Sequence, residues 1–275
     1  IMLTTVAVNC TMRWWLWSTM LLPAAVVSMI VPPPAPLKNS YFAIRHGQST
    51  ANVANIISSD PLVGSTTHEL TALGKEQARE AGEALWHELA KGGYGVEACT
   101  IYSSNFTRAR ETKDAAAFEL MCERRSFPRI DRRRRRRQLA THVFDGPPVR
   151  LGLLEALRER NFGDLDGLNT GAYDVVWPRD LGDPTADADG VEPVAAVCAR
   201  LLDMVTLLES RHTGEAIGLV SHADVLQIFQ CWMGGVDVRT FSSYRFKNGE
   251  VRLCDAAASA LPPPIPMVSQ ANTAA

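Results

Sequence analysis

The chain has no cysteine followed six positions later by an arginine, so thiolate-based phosphoester chemistry is excluded. Its six cysteines, at positions 10, 99, 122, 198, 231 and 254, show neither zinc-ligand nor disulfide-framework spacing. Cys99, Cys198 and Cys231 fall inside predicted elements and are expected as buried free thiols, which fits a reducing compartment. No dense carboxylate cluster points to a catalytic metal, and no cofactor is implied. A strong charge excess is also missing. The net charge of -2 argues against a general nucleic-acid binder, and no nucleic-acid partner is expected.

That average hides an asymmetry. Residues 119–150 carry ten arginines against four acids, leaving about -8 for the remainder. The run from Arg132 to Arg137 is too dense in like charge to pack, and reads as a solvated insertion dispensable for catalysis, or as a gene-model error. Long apolar runs are scarce too. Only residues 14–31 qualify, with Arg13 before them and Pro32, Pro33 and Pro34 after, as in a signal peptide or anchor. Pro23 in mid-run and an isoleucine at position 1 equally fit a fragment or a mis-set start. The chain is thus expected in the cytoplasm if this stretch is an artefact, and otherwise secreted or membrane-associated.

At 275 residues with 46% hydrophobic content, the chain suits one α/β domain with extensions. The expected parts are an N-terminal stretch and linker over 1–38, a domain over 39–257 with the Arg-rich insertion, and a flexible tail over 258–275. Tyr41 to Ile44 is an apolar run without polar alternation, as in a strand covered on both faces of a parallel sheet. It ends in Arg45 and His46, with Gly47 expected to let the backbone approach an anion. Two further junctions repeat the pattern. A strand over 99–103 leads into a helix carrying Arg108 and fading by Met121, and a strand over 217–220 leads to His222 and a helix over 225–232. Ligands of such sheets sit at the carboxyl ends of the strands, and helix starts favour anions. The predicted fold is α/β, a three-layer sandwich with a mostly parallel central sheet flanked by helices, and the shared target is a phosphoryl group.

The other elements follow from periodicity and turn chemistry. Thr71 caps a helix over 72 to about 89, with Leu73, Ala78, Ala81, Leu85 and Leu89 on its inner face. Val194, Val197, Cys198, Leu201, Val205 and Leu208 define a second long helix. Residues 52–67 and 164–190 read as loops, and Asn248-Gly249 as the turn of a closing hairpin. The string Gly163-Asp164-Leu165-Asp166-Gly167-Leu168 is similar to an aspartyl-nucleophile motif, but lacks the threonine after it and the apolar strand before it.

With these residues in place, the chain resembles the histidine phosphatase superfamily, which includes phosphatases and phosphoglycerate mutases. Its Arg-His-Gly signature matches Arg45-His46-Gly47. Its second arginine falls on Arg108, its second histidine on His222 with Ala223 in place of glycine, and its acid motif on Leu157-Arg158-Glu159-Arg160-Asn161-Phe162-Gly163. The resemblance covers about 39–257. It implies His46 as nucleophile, Arg45, Arg108 and a protonated His222 as cations, and Glu159 as general acid, rather than Glu155 four residues earlier. It further implies substrate contacts from Ser49, Asn52 and Arg160, and a site-facing role for Glu192 as an alternative to a helix-start charge. The expected activity is metal-independent phosphomonoester hydrolysis through a phosphohistidine, on a phosphorylated small molecule or a phosphoprotein. A membrane matters only if the N-terminal stretch is an anchor. Two rivals stand beside it. One is a mutase, although the aromatic-rich stretch that mutases carry is replaced by residues 56–60. The other is a catalytically silent binding module using the arginine run.

Overall fold

The computed structural model describes residues 30–123, 149–255 and 261–266. The arginine run and nearly all of the N-terminal apolar stretch lie outside them. Among the described residues, no helix is long and apolar enough to cross a membrane.

Five strands form one sheet: β1 (Ser40–Arg45), β2 (Cys99–Ser103), β3 (Arg150–Leu153), β4 (Ala216–Ser221) and β5 (Val251–Cys254), in the order β3-β2-β4-β1-β5. All neighbours are parallel except β5, which runs antiparallel to β1. The two central strands have their apolar runs because both faces are covered. Tyr41 and Ala43 of β1, with Ile217 and Leu219 of β4, join one core cluster, and Phe42 and Ile44, with Ala216 and Val220, join the other.

Seven α-helices lie among the described residues: α1 (Thr50–Ala54), α2 (Pro61–Gly64), α3 (Ala72–Lys91), α4 (Thr107–Glu123), α5 (Tyr173–Gly182), α6 (Val194–Arg211) and α7 (Ala223–Met233). Helices α3 and α4 cover the Phe42 face, and α6 and α7 cover the Tyr41 face. The result is the expected three-layer sandwich. Thr71 caps α3 by accepting from the Gly74 amide, and Ala78, Ala81, Leu85 and Leu89 are buried. Leu73 instead points outward, 53% exposed. Five cysteines among the described residues, Cys99, Cys122, Cys198, Cys231 and Cys254, are buried free thiols.

Several expectations are corrected. The stretch 52–67 contains two short helices, α2 being started by Pro61 and capped by the Asp60 carboxylate. Helix α5 interrupts the loop expected over 164–190, despite Pro178 in its interior. Asn248-Gly249 closes no hairpin, because the segment before it is a 3-10 helix over Val238–Ser243 and β5 pairs with β1. This turn instead clasps the end of β1. Gly249, at φ 76°, donates its amide to the Arg45 carbonyl over 3.1 Å, and Asn248 Nδ2 donates to the His46 carbonyl over 3.0 Å. Beyond 257 the chain is not all tail: Leu261 packs against the core, and the Ile265 amide donates to the Ser243 carbonyl. Nor is the 32–39 linker loose, since Leu37 packs on the same core and Asn39 is buried.

Candidate active site

The carboxyl ends of β2, β4 and β1 lie side by side and bring the three junctions together. The His46 amide donates to the Ser221 carbonyl and the Ser104 amide to the Val220 carbonyl, each over 3.0 Å, so the sheet ladder continues into the site. Gly47 serves packing rather than an anion: a Cβ there would overlap the Gly74 carbonyl at the start of α3. The Gly47 amide donates to Thr112 Oγ1, which donates in turn to the Arg108 carbonyl over 2.7 Å, tying the loop after β1 to α4.

The hydrogen bonds fix the His46 tautomer. Nδ1 lies 2.7 Å from the Gly47 carbonyl, which can only accept, so Nδ1 carries the proton. Nε2 faces Arg108 Nε at 3.2 Å, which can only donate, so Nε2 presents its lone pair. Burial and the charges of Arg108 and Arg45 hold the His46 pKa well below 6.5. Arg108 donates further to the Ser58 carbonyl and hydroxyl, and burial pushes its pKa down to about 10, leaving it charged at neutral pH. Arg45 donates to the Phe246 carbonyl, while its Nε is buried without a protein partner.

His222 lies behind this front, fully buried, its ring 5.0 Å from that of His46 and its Nε2 3.1 Å from Ser104 Oγ. It was expected to be protonated. Burial and the charge of Arg108 instead hold its pKa well below 6.5, so both imidazoles are neutral. Its Nδ1 is buried and unpaired, as are Arg45 Nε and Gln227 Oε1 on the cavity wall, leaving these three polar atoms of the site without protein partners.

Arg45, His46, Arg108 and Glu159 line one cavity of about 310 Å³. Glu159 is placed by the Arg160 amide, which donates to Oε1 over 3.0 Å. Burial first, and the nearby Asp224 carboxylate second, raise its pKa well above the ordinary 4.5. Glu155 stays outside the cavity, its side chain 77% exposed and paired with Arg158. Ser49 and Asn52 line the cavity but also bond each other as the capping box of α1, so they shape the wall through that helix. Ala223 adds its methyl group to the same wall.

Arg160, expected to contact substrate, does not line the cavity. It is fully buried and pairs bidentately with Asp180 at 2.6 and 2.7 Å, with Asp224 at 3.6 Å, and it donates to the Glu192 carbonyl. Glu192 itself pairs with Arg200 instead of facing the cavity. Removing one partner of a buried, hydrogen-bonded pair typically costs about 3–5 kcal/mol. Arg160→Met is therefore expected to lower the urea midpoint by an equivalent amount. A rise in KM at unchanged stability would restore the ligand role.

Sequence reasoning missed Tyr173, Trp177, Asp224, Gln227 and Arg245, all of which line the cavity. Asp224 could have been noticed as a carboxylate opening the apolar helix α7. Tyr173 and Trp177, four apart on α5, share one helical face, and their rings stack at 4.9 Å. Trp177 Nε1 donates to Asp224 Oδ2 over 3.2 Å, joining α5 to α7.

Comparison with known proteins adds relatives to this geometry. The family model described as "Histidine phosphatase superfamily (branch 1)" matches residues 41–131 and 132–260. A 2,3-bisphosphoglycerate-dependent phosphoglycerate mutase of Methylorubrum extorquens (strain PA1) is 26% identical over 215 residues, 74% of this chain and 84% of that protein. Among solved structures, a mycobacterial glucosyl-3-phosphoglycerate phosphatase complexed with VO3 has a TM-score of 0.55 at 20% identity, covering 78% of this chain and 90% of that one. A phosphoserine phosphatase of Entamoeba histolytica complexed with 3-phosphoglyceric acid has a TM-score of 0.53 at 18% identity, covering 78% of this chain and 89% of that one. At such identities the two structures speak for the fold.

Proposed function

Because the chain belongs to the histidine phosphatase superfamily, we propose that it hydrolyses a phosphomonoester of a small molecule through a phosphohistidine on His46, without a metal ion. The observation that carries this reading is the His46 tautomer. Nδ1–H is tied to the Gly47 carbonyl, so Nε2 carries the lone pair, which accepts from Arg108 Nε at the wall of a cavity lined by two arginines and a carboxyl group with a raised pKa.

In the first step Arg108 turns its Nε–H from His46 to a phosphoryl oxygen, and the freed Nε2 lone pair forms a bond to phosphorus while the bond from phosphorus to the alcohol oxygen breaks. The Glu159 carboxyl proton passes to that oxygen. Arg45 and Arg108 carry the charge of the phosphoryl oxygens. Burial first and the field of Arg108 second keep His222 neutral, and the arriving dianion opposes the second of these, which favours the protonated imidazole. In the second step the Glu159 carboxylate takes a proton from water, the water oxygen bonds to phosphorus, and the P–N electron pair returns to Nε2. Orthophosphate leaves and Glu159 is protonated again.

The second reading, a phosphoglycerate mutase, is favoured by relatives that are 2,3-bisphosphoglycerate-dependent phosphoglycerate mutases. The two part at the fate of the phosphohistidine. Incubation with 3-phosphoglycerate, with and without 2,3-bisphosphoglycerate, decides between them. Orthophosphate release at a rate indifferent to the bisphosphate is expected, and bisphosphate-dependent formation of 2-phosphoglycerate would overturn the hydrolase. A screen of phosphorylated metabolites beside phosphopeptides then tests the small-molecule substrate, with turnover expected only on the former.

The pH profile carries a separate expectation. kcat/KM reports the free enzyme, in which burial and the Asp224 anion both raise the Glu159 pKa. Asp224→Asn removes the anion, so the Glu159 pKa falls and its acid form is lost at lower pH. The alkaline limb for an alkyl phosphate should shift toward acid, and an unmoved limb with a lower plateau would reduce Asp224 to a packing role.

A further inference from the structure

Tyr173 is a phenol whose ring is fixed and whose hydroxyl has no use in the mechanism given above. It stands in the first turn of α5, half-buried, with its ring stacked on Trp177 at 4.9 Å and 10° and edge-on to Phe162 at 5.1 Å and 74°. The stack is itself anchored. Trp177 Nε1 donates to Asp224, and the Arg245 guanidinium carbon lies 5.0 Å from the centre of the Trp177 ring on the cavity wall. Motion of the Tyr173 ring would therefore break its contacts to Trp177 and Phe162. Tyr173 lines the same cavity as Arg45, His46, Arg108 and Glu159, and among the described residues its hydroxyl has no hydrogen-bond partner.

We propose that Tyr173 is a further catalytic residue, its hydroxyl donating a hydrogen bond to an oxygen of the phosphoryl group held by Arg45 and Arg108. A transferring phosphoryl group spreads charge over three oxygens. Arg45 comes from β1 and Arg108 from α4, and each commits part of its guanidinium to protein carbonyls, Phe246 and Ser58 respectively. A donor from a third element, α5, completes the surround. The phenol lines the same cavity as both arginines and Glu159, and it feels their charges and that of Asp224. Burial raises its pKa well above 10, so it keeps its proton and acts as a neutral donor throughout.

The inference rests on the phosphohydrolase reading, and Tyr173→Phe tests it because the variant removes the hydroxyl and keeps the stack. Wild type and variant are compared in thermal midpoint, in affinity for inorganic phosphate and orthovanadate, and in kcat/KM on one alkyl and one aryl monoester. An unchanged midpoint is expected, with affinity and both kcat/KM values down roughly tenfold or more. Unchanged affinity and turnover would overturn the proposal. So would a loss confined to the alkyl ester, which would put the hydroxyl on the leaving oxygen, or a loss matched by a drop in midpoint. A wild-type protein that turns over neither ester sinks the parent reading, whereas an active wild type with an equally active Phe variant sinks only this inference.

Discussion

Replacing His46 with alanine is expected to abolish turnover of every phosphomonoester, a fall on the order of 10⁴-fold or more. The magnitude follows from the absence of a substitute. His222 is the nearest imidazole, yet it is fully buried behind the front, does not line the cavity and has its Nε2 against Ser104 Oγ. The cysteines among the described residues are buried, and burial pushes Cys99 and Cys198 up to about 12, so no thiolate takes over. Steady-state assays with a sensitive aryl phosphate check this, alongside circular dichroism to show that the variant is folded. Residual activity within tenfold of wild type would remove His46 from the nucleophile's place.

The second large effect is selective. Glu159→Gln should lower hydrolysis of alkyl phosphates by roughly 10²–10⁴-fold, the usual span of general acid catalysis, while sparing the phosphoryl-transfer step on an activated aryl phosphate. An alkoxide needs a proton to leave and a nitrophenolate hardly does. Single-turnover kinetics isolates that step from the hydrolysis of the phosphoenzyme, in which Glu159 also acts as base. Glu155→Gln should do little on either substrate, since Glu155 is an exposed partner of Arg158 outside the cavity. A selective loss in the Glu155 variant would shift the assignment by four residues.

The elements that position the site were legible because their burial is uniform. A strand covered on both faces has no polar alternation to blur it, and β1, β2 and β4 each end where an apolar run meets a charged or hydroxyl residue. Thr71 announced a helix start through its side-chain chemistry, whereas the turn-rich composition around Asp60-Pro61 concealed that a helix followed. Arg160 shows where local sequence stops being informative. Its neighbour Glu159 faces the cavity, but the partners that decide its own role, Asp180 and Asp224, come from α5 and α7 and could not be foreseen from adjacency. Helix α5 was hidden for a related reason. Pro178 and a polar composition read as a loop, whereas Trp177 and Asp180 are buried against α7 and Arg160, and tertiary packing outweighs propensity there. The same helix supplies the aromatic wall of the cavity. The neutral resting state of His222 was not legible, because it depends on burial and on the field of Arg108, neither of which a motif records.

The account turns on a bond between phosphorus and His46 Nε2, so rapid quenching of the enzyme with a ³²P-labelled monoester tests it most directly. A label stable in base and lost in acid, located on the peptide that contains His46 and absent from His46→Ala, is the predicted result. Turnover without any such label in wild type, or an acid-labile label that survives in His46→Ala, would contradict it.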